Sequence, residues 1–302
     1  MAGSRRETLG LALGLLGVAI FSATLPLTRI AVAELPAGFV TVSRAAIAGL
    51  CAIPVLALAG AKPPWRDFPT LALAALCLVF GFPGFTSFAM RSLPAAHAGV
   101  VVGALPLATL VVAAIVDKAR PSLGFWICAC LGGAVVVGFA LHHGGAGLEA
   151  GDALLALAVF SAAVGYVFSG RLARRMPARD VISWIVVISL PFTLLLSWRT
   201  APDHLETIAL KTWACLAYLG VMSMYLGFFA WNSGLAMGGT ARVSQVQLVQ
   251  TFLTLGLAAA INGETIDGET LGAAVLIVAL IFVGRRLRSG DSPRLTPKAA
   301  DA

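Results

Sequence analysis

Long apolar stretches constrain the fold of this chain more than any other feature of its sequence. A helix needs about 20 apolar residues to cross the hydrocarbon core of a bilayer, which is about 30 Å thick. Only 12% of the 302 residues are charged and 59% are hydrophobic, whereas soluble domains carry about 25% charged residues. The sequence therefore predicts a membrane protein with about ten transmembrane helices, here called spans and numbered in chain order: 9–31, 38–60, 69–90, 95–115, 122–142, 152–169, 181–198, 212–234, 242–262 and 270–284.

The basic residues predict how the spans are oriented. Of the 21 Lys and Arg residues, sixteen lie in the termini and connections on the side where the chain begins. The exceptions are Arg91, Arg199 and Lys211 on the opposite side, and Arg29 and Arg44 within spans. Because cytoplasmic segments are rich in Lys and Arg, we expect a multi-pass protein of a bacterial inner membrane with both termini in the cytoplasm. The net charge of +7 is then a topology signal, and no nucleic-acid partner is expected.

An internal repeat predicts how the spans are grouped. A shift of 145 residues lays the segment from Ser92 to Ala98 over the segment from Met237 to Val243. Identity is weak, but an aromatic-rich span, a tight turn, a small-residue span and a short charged connection recur in that order. Because each half holds five spans, the second half starts on the opposite side of the membrane. The predicted fold class is an all-α integral membrane protein of about ten transmembrane helices, arranged as two inverted five-helix repeats.

The repeat also sets the expected division of the chain. Residues 1–146 form the first five-helix repeat and residues 147–288 form the second, inverted one. The remaining residues, 289–302, are rich in basic residues and prolines and are predicted to be a disordered cytoplasmic tail.

Several motifs, spread over nearly the whole chain, carry a family resemblance. They are Arg44, the run Ala89-Met90-Arg91-Ser92-Leu93-Pro94-Ala95-Ala96, Pro106, Gly151-Asp152, the run Arg171-Leu172-Ala173-Arg174-Arg175, the segment from Arg242 to Thr251, and Gly263-Glu264. In their order and spacing the chain resembles the EamA-type members of the drug/metabolite transporter superfamily, and it is similar to YddG-like exporters of amino acids. It departs from the family pattern around Asp117-Lys118-Ala119 and at Thr251, where the proline of the second half is missing.

The resemblance implies a function. An EamA-type protein is expected to be an alternating-access transporter that exports small metabolites, here amino acids including aromatic ones. Its partners would be that small-molecule substrate and membrane lipid, and it would need no cofactor. The resemblance also implies a cavity built by spans 1 to 4 and 6 to 9, with spans 5 and 10 at the periphery.

The alternative is an intramembrane enzyme or a lipid-handling protein. The fourteen acidic residues all fall at span ends, in connections or in the termini, which leaves no carboxylate in the middle of a span. The sequence also contains no HExxH-type metal pair and no credible Ser/His/Asp set. We therefore expect neither catalytic residues nor a metal site.

Span 9 has the clearest polar face. At 100° per residue, Ser244, Gln247, Gln250, Thr251 and Thr254 fall within one sector of the helix. Polar groups in lipid seek partners inside a helix bundle, so this face predicts either a cavity wall or hydrogen bonds between helices.

Arg44 lies about two turns inside span 2 and is the charge placed deepest in an apolar stretch. Charged residues inside spans usually face the bundle interior and mark a pathway, and arginine can bind a carboxylate with two parallel hydrogen bonds. The sequence thus predicts a substrate contact at Arg44. The alternative is a structural pair with Glu34 or with backbone carbonyls.

Three further candidates complete the predicted site. Tyr225 and Asn232 share a face of span 8 with aromatic residues, which would suit a substrate that is part ring and part charge. Aromatic residues at this depth can equally belong to the membrane interface. His97 begins span 4 and could titrate near neutral pH, although a role at the helix end is the simpler interpretation.

The predicted topology can be tested by cysteine labelling. In a cysteine-free background, Lys118→Cys is expected to be protected from a membrane-impermeant maleimide in intact cells, because its connection is predicted to be cytoplasmic. His204→Cys is expected to react, because its connection is predicted to be periplasmic. The reverse pattern at both positions would contradict the orientation deduced from the basic residues.

Overall fold

A computed structural model describes residues 2–118, 121–143, 149–238 and 243–289. Helices account for all ten spans in this part of the chain, and it contains no strand. The expected disordered tail, 289–302, lies outside the described residues except for Ser289. The helices have the following bounds: Ala2–Ser22 and Thr24–Glu34 (span 1); Ala37–Leu58 (span 2); Trp65–Asp67, Phe68–Ala75, Leu76–Gly81 and Phe82–Ala89 (span 3); Ala95–Gly103 and Leu105–Val116 (span 4); Leu123–His143 (span 5); Ala150–Leu172 (span 6); Ala178–Arg199 (span 7); Leu210–Ala217, Tyr218–Leu226 and Gly227–Gly238 (span 8); Ser244–Val249 and Gln250–Asn262 (span 9); and Gly268–Ser289 (span 10). A short 3-10 turn, Leu205–Thr207, lies between spans 7 and 8.

The lengths of these helices match a membrane protein. Nine helical segments of the described chain are long and apolar enough to cross a bilayer, and the tenth apolar helix, Val246–Asn262, is shorter. The predicted fold class, an all-α integral membrane protein with two inverted five-helix repeats, is confirmed.

Five spans depart from regular α-helical geometry, four near their middle and span 9 at its start. The α-helix is interrupted at Ala23 in span 1 and at Ala104 in span 4. Spans 3 and 8 contain π-helical segments, Leu76–Gly81 and Tyr218–Leu226, and span 9 begins as the 3-10 helix Ser244–Val249. In lipid such irregular backbone is tolerated only where it is buried in protein or lines a cavity. These five places therefore point to the interior of the bundle.

Two of the three irregularities of the first half recur in the second half; the one at Ala23 corresponds to position 168, inside the continuous helix Ala150–Leu172. Shifting the π-helix Leu76–Gly81 by 145 residues brings it to 221–226, inside the second π-helix. The same shift takes Ala104, the interruption of span 4, to Val249, the end of the 3-10 segment of span 9. The weak sequence repeat is thus accompanied by a repeat of backbone geometry.

The packing of the spans follows the same symmetry. Span 1 packs closely on span 8, and span 3 packs closely on span 6. Exchanging the two halves converts the pair 1–8 into the pair 6–3, whereas the pairs 2–7, 4–9 and 5–10, which also pack together, are converted into themselves. This is the contact pattern expected of two inverted repeats related by a pseudo-two-fold axis.

Small residues bring spans 1 and 8 together. A Cβ atom on Gly234 would lie 2.7 Å from the backbone nitrogen of Gly14 and 2.8 Å from the carbonyl oxygen of Gly10. Backbone atoms cannot move aside as the tip of a flexible side chain can. The two helices are therefore in backbone contact, as is common where membrane helices pack through small residues.

This contact predicts the effect of one added methyl group. Gly234→Ala should force spans 1 and 8 apart and cost about 1–3 kcal/mol of stability, the usual range for overpacking. Gly133→Ala is the control, because a Cβ at Gly133 meets no atom within 4 Å. We expect the melting temperature of the detergent-purified protein to fall by several degrees for the first variant and to stay unchanged for the second. Equal melting temperatures would contradict the close approach.

Candidate functional site

A central cavity lies between the two halves. It is lined by residues of spans 1, 2, 3, 4, 6, 8 and 9, most of them near the middle of their spans, and among the described residues spans 5, 7 and 10 contribute none. All five spans with irregular backbone take part. The lining residues are Phe21, Thr24, Leu25, Arg44, Leu78, Phe82, Pro83, Gly99, Val102, Gly103, Leu105, Pro106, Tyr166, Ser223, Met224, Phe228, Gln247, Gln250, Thr251 and Thr254.

The cavity is small in this conformation. The space open to the centre of a water molecule is about 60 Å³, and a single water needs about 10–15 Å³ on that measure. There is room for a few waters or for a ligand of a few heavy atoms. A larger ligand requires the side chains of the wall to move.

A chain of polar contacts crosses the cavity wall at Arg44. The side chain of Arg44 is 2% exposed, and its Nη2 donates a hydrogen bond to the Ser223 hydroxyl at 3.1 Å. That hydroxyl is also hydrogen bonded to the Thr24 hydroxyl at 2.7 Å. The contacts join spans 2, 8 and 1, and all three residues line the cavity.

The guanidinium group of Arg44 is only partly satisfied. Its Nε and Nη1 atoms are buried and have no hydrogen-bond partner in the described part of the chain. Nη2 carries two N–H groups, of which Ser223 accepts one. Whichever of these two N–H groups is bonded to Ser223, the other lies beside an N–H group of Nε or of Nη1. One edge of the guanidinium, with two adjacent N–H donors, therefore has no partner in the described part of the chain. That edge has the geometry that binds a carboxylate.

The alternative partner considered from the sequence, Glu34, is engaged elsewhere. Its carboxylate accepts hydrogen bonds from the backbone nitrogen of Ala209 and from the Thr212 hydroxyl, both at 2.9 Å. The charge of Arg44 is therefore not balanced by Glu34.

The polar face of span 9 forms the opposite wall. Gln247, Gln250, Thr251 and Thr254 all line the cavity. Gln247 lies in the 3-10 segment and Gln250 directly follows it. Residues three apart are eclipsed in a 3-10 helix, which puts the two amides on one side. Gly103 allows span 9 to approach span 4, because a Cβ there would lie 2.8 Å from the Thr251 hydroxyl.

Aromatic rings form an apolar part of the wall. Phe228 contacts Phe21 edge-on with ring centroids 5.1 Å apart and Tyr166 with centroids 6.3 Å apart. These three residues and Phe82 line the cavity. The wall therefore combines a cationic group, amides and hydroxyls with a large apolar surface, as ligand pockets usually do.

Two predicted site residues of span 8 are not among those that line the cavity in this conformation. Tyr225 is 2% exposed, and its hydroxyl is hydrogen bonded to that of Ser183 at 2.9 Å. Asn232 donates to the carbonyl of Ala178 at 3.4 Å. The physical reason is the π-helix Tyr218–Leu226, whose wider turn shifts the register of every residue that follows.

His97 also lies outside the cavity. Its Nε2 is 2.6 Å from the Asp152 carboxylate, both side chains are buried, and the ring packs on Phe139 with centroids 5.0 Å apart. The pair joins the beginning of span 4 to the beginning of span 6, which fits the simpler of the two sequence interpretations. For the last predicted residue, Ser244, the side chain lies outside what the structure describes.

Hydrogen bonds hold the bundle together on the side opposite the N-terminus. The Glu264 carboxylate accepts from the backbone nitrogens of Ala95, at 2.8 Å, and Ala96, at 2.6 Å. The guanidinium of Arg29 donates to the carbonyl of Leu93 at 2.9 Å. The start of span 4 is thus tied to span 1 and to the connection between spans 9 and 10.

Sequence reasoning missed Thr24, Ser223 and Tyr166. The two hydroxyl residues are 199 positions apart, and an isolated Ser or Thr in an apolar helix often only hydrogen bonds its own backbone. No local pattern marks such a pair. Tyr166 could have been noticed as a phenol in the middle of a small-residue span, but nothing in the sequence says which side of that span faces inward.

The fold and the cavity define a class of protein. Two inverted five-helix halves with a polar cavity at midspan form a transporter architecture. The EamA-like transporter family model matches residues 8–141 and again residues 149–284. The chain belongs to the EamA-like transporter family of the drug/metabolite transporter superfamily.

Individual relatives agree with this assignment. The chain is 39% identical over 274 residues to "Uncharacterized transporter YdeK" of Bacillus subtilis (strain 168), covering 90% of this chain and 96% of that one. It is 28% identical over 260 residues to "Probable amino-acid metabolite efflux pump" of Salmonella typhimurium (strain LT2), covering 78% and 87%. A solved crystal structure with 21% identity has the same fold, with a TM-score of 0.64 over 95% of this chain and 100% of that chain.

Proposed function

We propose that this transporter exports amino acids and closely related metabolites, and that it recognises them by their carboxylate. Arg44 binds the carboxylate, Gln247 and Gln250 bind other polar groups of the substrate, and the aromatic wall contacts its apolar part. Substrate passes by alternating access, in which the two halves open the cavity to one side of the membrane at a time.

The buried guanidinium of Arg44 is the observation that carries this proposal. A buried charge left without a partner costs about 3–5 kcal/mol, so a protein rarely retains one without a use. Arg44 lies on the cavity wall, and an anionic ligand that reaches its unpartnered donors would remove most of that cost. A purely structural arginine would be expected to have its N–H groups satisfied by the protein.

The name of one relative supports the direction and the substrate class. The name of the Salmonella relative describes an efflux pump for amino-acid metabolites, and such molecules commonly carry a carboxylate. Export from the cytoplasm of a bacterium agrees with the inner-membrane location and the cytoplasmic termini expected from the basic residues. We assign residues 1–146 and 147–288 to the two halves that move relative to each other.

Counterflow in proteoliposomes tests the proposal. Vesicles that contain the purified protein are loaded with an unlabelled amino acid and diluted into the radiolabelled one. A transporter accumulates label transiently, whereas an intramembrane enzyme would convert the label chemically without exchange. Absence of counterflow for every amino acid and 2-oxo acid tried, with intact folded protein in the vesicles, would refute the proposal.

The two glutamines of span 9 give a prediction at residue level. Gln247→Ala or Gln250→Ala should remove a hydrogen bond to substrate, which costs about 0.5–1.5 kcal/mol, or up to about 3 if a charged group loses its partner. Counterflow should fall several-fold while the melting temperature of the purified protein stays close to that of the unmodified protein.

Asn232→Ala is the matched control for these two variants. It also removes an amide from the second half, but the Asn232 amide donates to the carbonyl of Ala178 outside the cavity. Its counterflow rate should stay near normal. If all three variants lost transport equally, or if the losses followed the melting temperatures, the glutamines would be holding helices together rather than binding substrate.

A further inference from the structure

The cavity has an unbalanced charge. Arg44 is the one charged side chain among the described residues that line it. The hydroxyls of Ser223 and Thr24, which are its nearest polar neighbours, carry no charge. The described lining of the cavity therefore carries one net positive charge.

Three carboxylates at the ends of the spans are engaged elsewhere. Glu34 binds the backbone of Ala209 and the Thr212 hydroxyl, and Asp152 is paired with His97. Glu264 binds the backbone nitrogens at the start of span 4. Each of these carboxylates is held at a span end, outside the cavity lining.

The charged and polar groups of the cavity lining suit the carboxylate of an amino acid but not its ammonium group. The carboxylate finds the open edge of Arg44, but the ammonium group finds no acidic partner among the described lining residues and must rely on neutral groups such as the amides of Gln247 and Gln250. An ammonium buried next to an arginine is also repelled by it. A zwitterion would leave the cavity with its net positive charge, whereas a monoanion cancels that charge.

We infer that the cavity selects substrates by net charge and prefers a monocarboxylate without an ammonium group, such as a 2-oxo or 2-hydroxy acid, over the amino acid with the same carbon skeleton. This inference rests on the proposed function, because it concerns the same cavity and the same contact at Arg44. Amines that lack the carboxylate are excluded. Within the amino-acid-related metabolites, the substrates are then the organic acids formed when the amino group is removed.

Matched ligands of different charge test the inference. Two sets are used, each with an oxo acid, the corresponding amino acid and an amine without the carboxylate. The small set is pyruvate, alanine and ethylamine, chosen because the cavity is small in this conformation. The larger set is 4-methyl-2-oxopentanoate, leucine and 3-methylbutylamine. Binding is measured by the shift in melting temperature of the detergent-purified protein with ligand concentration, since a ligand that binds only the folded state stabilises it. In the set that binds, the oxo acid should bind at least about tenfold more tightly than the amino acid, and the amine should not bind.

Two variants show whether Arg44 causes the oxo acid to bind more tightly than the amino acid. Arg44→Gln removes the charge and should bring the affinities for the oxo acid and the amino acid close to each other. Arg44→Lys keeps the charge but loses the planar fork, so the oxo acid should remain preferred with lower affinity for both. The ratio of the two affinities is the readout, because a general loss of folded protein does not change it. If Arg44→Gln does not fold, the order in the unmodified protein and in Arg44→Lys still decides.

The outcomes separate this inference from the proposed function. If an amino acid binds as tightly as its oxo acid or more tightly, and also shows counterflow, the transporter proposal stands and the charge selection is wrong. If the oxo acid is preferred but Arg44→Gln retains the full preference, another group sets the selectivity and the inference is wrong. If neither the acids nor the amino acids bind or exchange, both proposals fail.

Discussion

Every backbone polar group that enters the bilayer must find its hydrogen-bond partner within the protein. This constraint turns each apolar stretch into a helix and leaves few places where the backbone can depart from it. In this transporter the departures lie at Ala23, Leu76–Gly81, Ala104, Tyr218–Leu226 and Ser244–Val249. They belong to the spans that surround the central cavity. Spans 5 and 10 are continuous helices, pack on each other and line no part of the cavity among their described residues.

A similar constraint applies to the one charged side chain among the described residues of the cavity wall, because a charge inside the bilayer also needs a partner. Arg44 lies about two turns inside span 2 and is 2% exposed, and Ser223 satisfies only part of its guanidinium. Arg44 lines a cavity whose other described lining residues offer amides, hydroxyls and rings but no carboxylate. The side chains that do carry negative charge, among them Glu34 and Glu264, fasten the ends of the spans instead. In our account these carboxylates stabilise the packing of the helices, and Arg44 is the charged group that binds the substrate.

Much of this arrangement could be predicted from the sequence, because it depends on patterns that survive without tertiary information. The apolar stretches gave the spans, and Gln247, Gln250 and Thr251 lie on the cavity wall because i, i+3 and i+4 neighbours share a face in either helix type. Tyr225 and Asn232 are not among the lining residues of this conformation, and a wheel of 3.6 residues per turn does not apply across the π-helix Tyr218–Leu226. The contact of Ser223 with Thr24 joins different halves of the chain, and no local pattern encodes it. The sequence thus predicts well which residues share a face of a regular helix. It predicts poorly which residues come into contact when they are distant in the chain and lie in irregular helices.

The central claim is that the open edge of Arg44 binds the carboxylate of the transported molecule. An experimental structure of the protein with a transported carboxylate, in either an outward-open or an inward-open state, tests it most directly. We predict that the carboxylate oxygens lie about 2.7–2.9 Å from two guanidinium nitrogens of Arg44, as in charge-assisted pairs generally, with the apolar part of the ligand against Phe21, Phe228 or Tyr166. A ligand bound elsewhere, with the guanidinium of Arg44 satisfied by protein groups, would contradict the account.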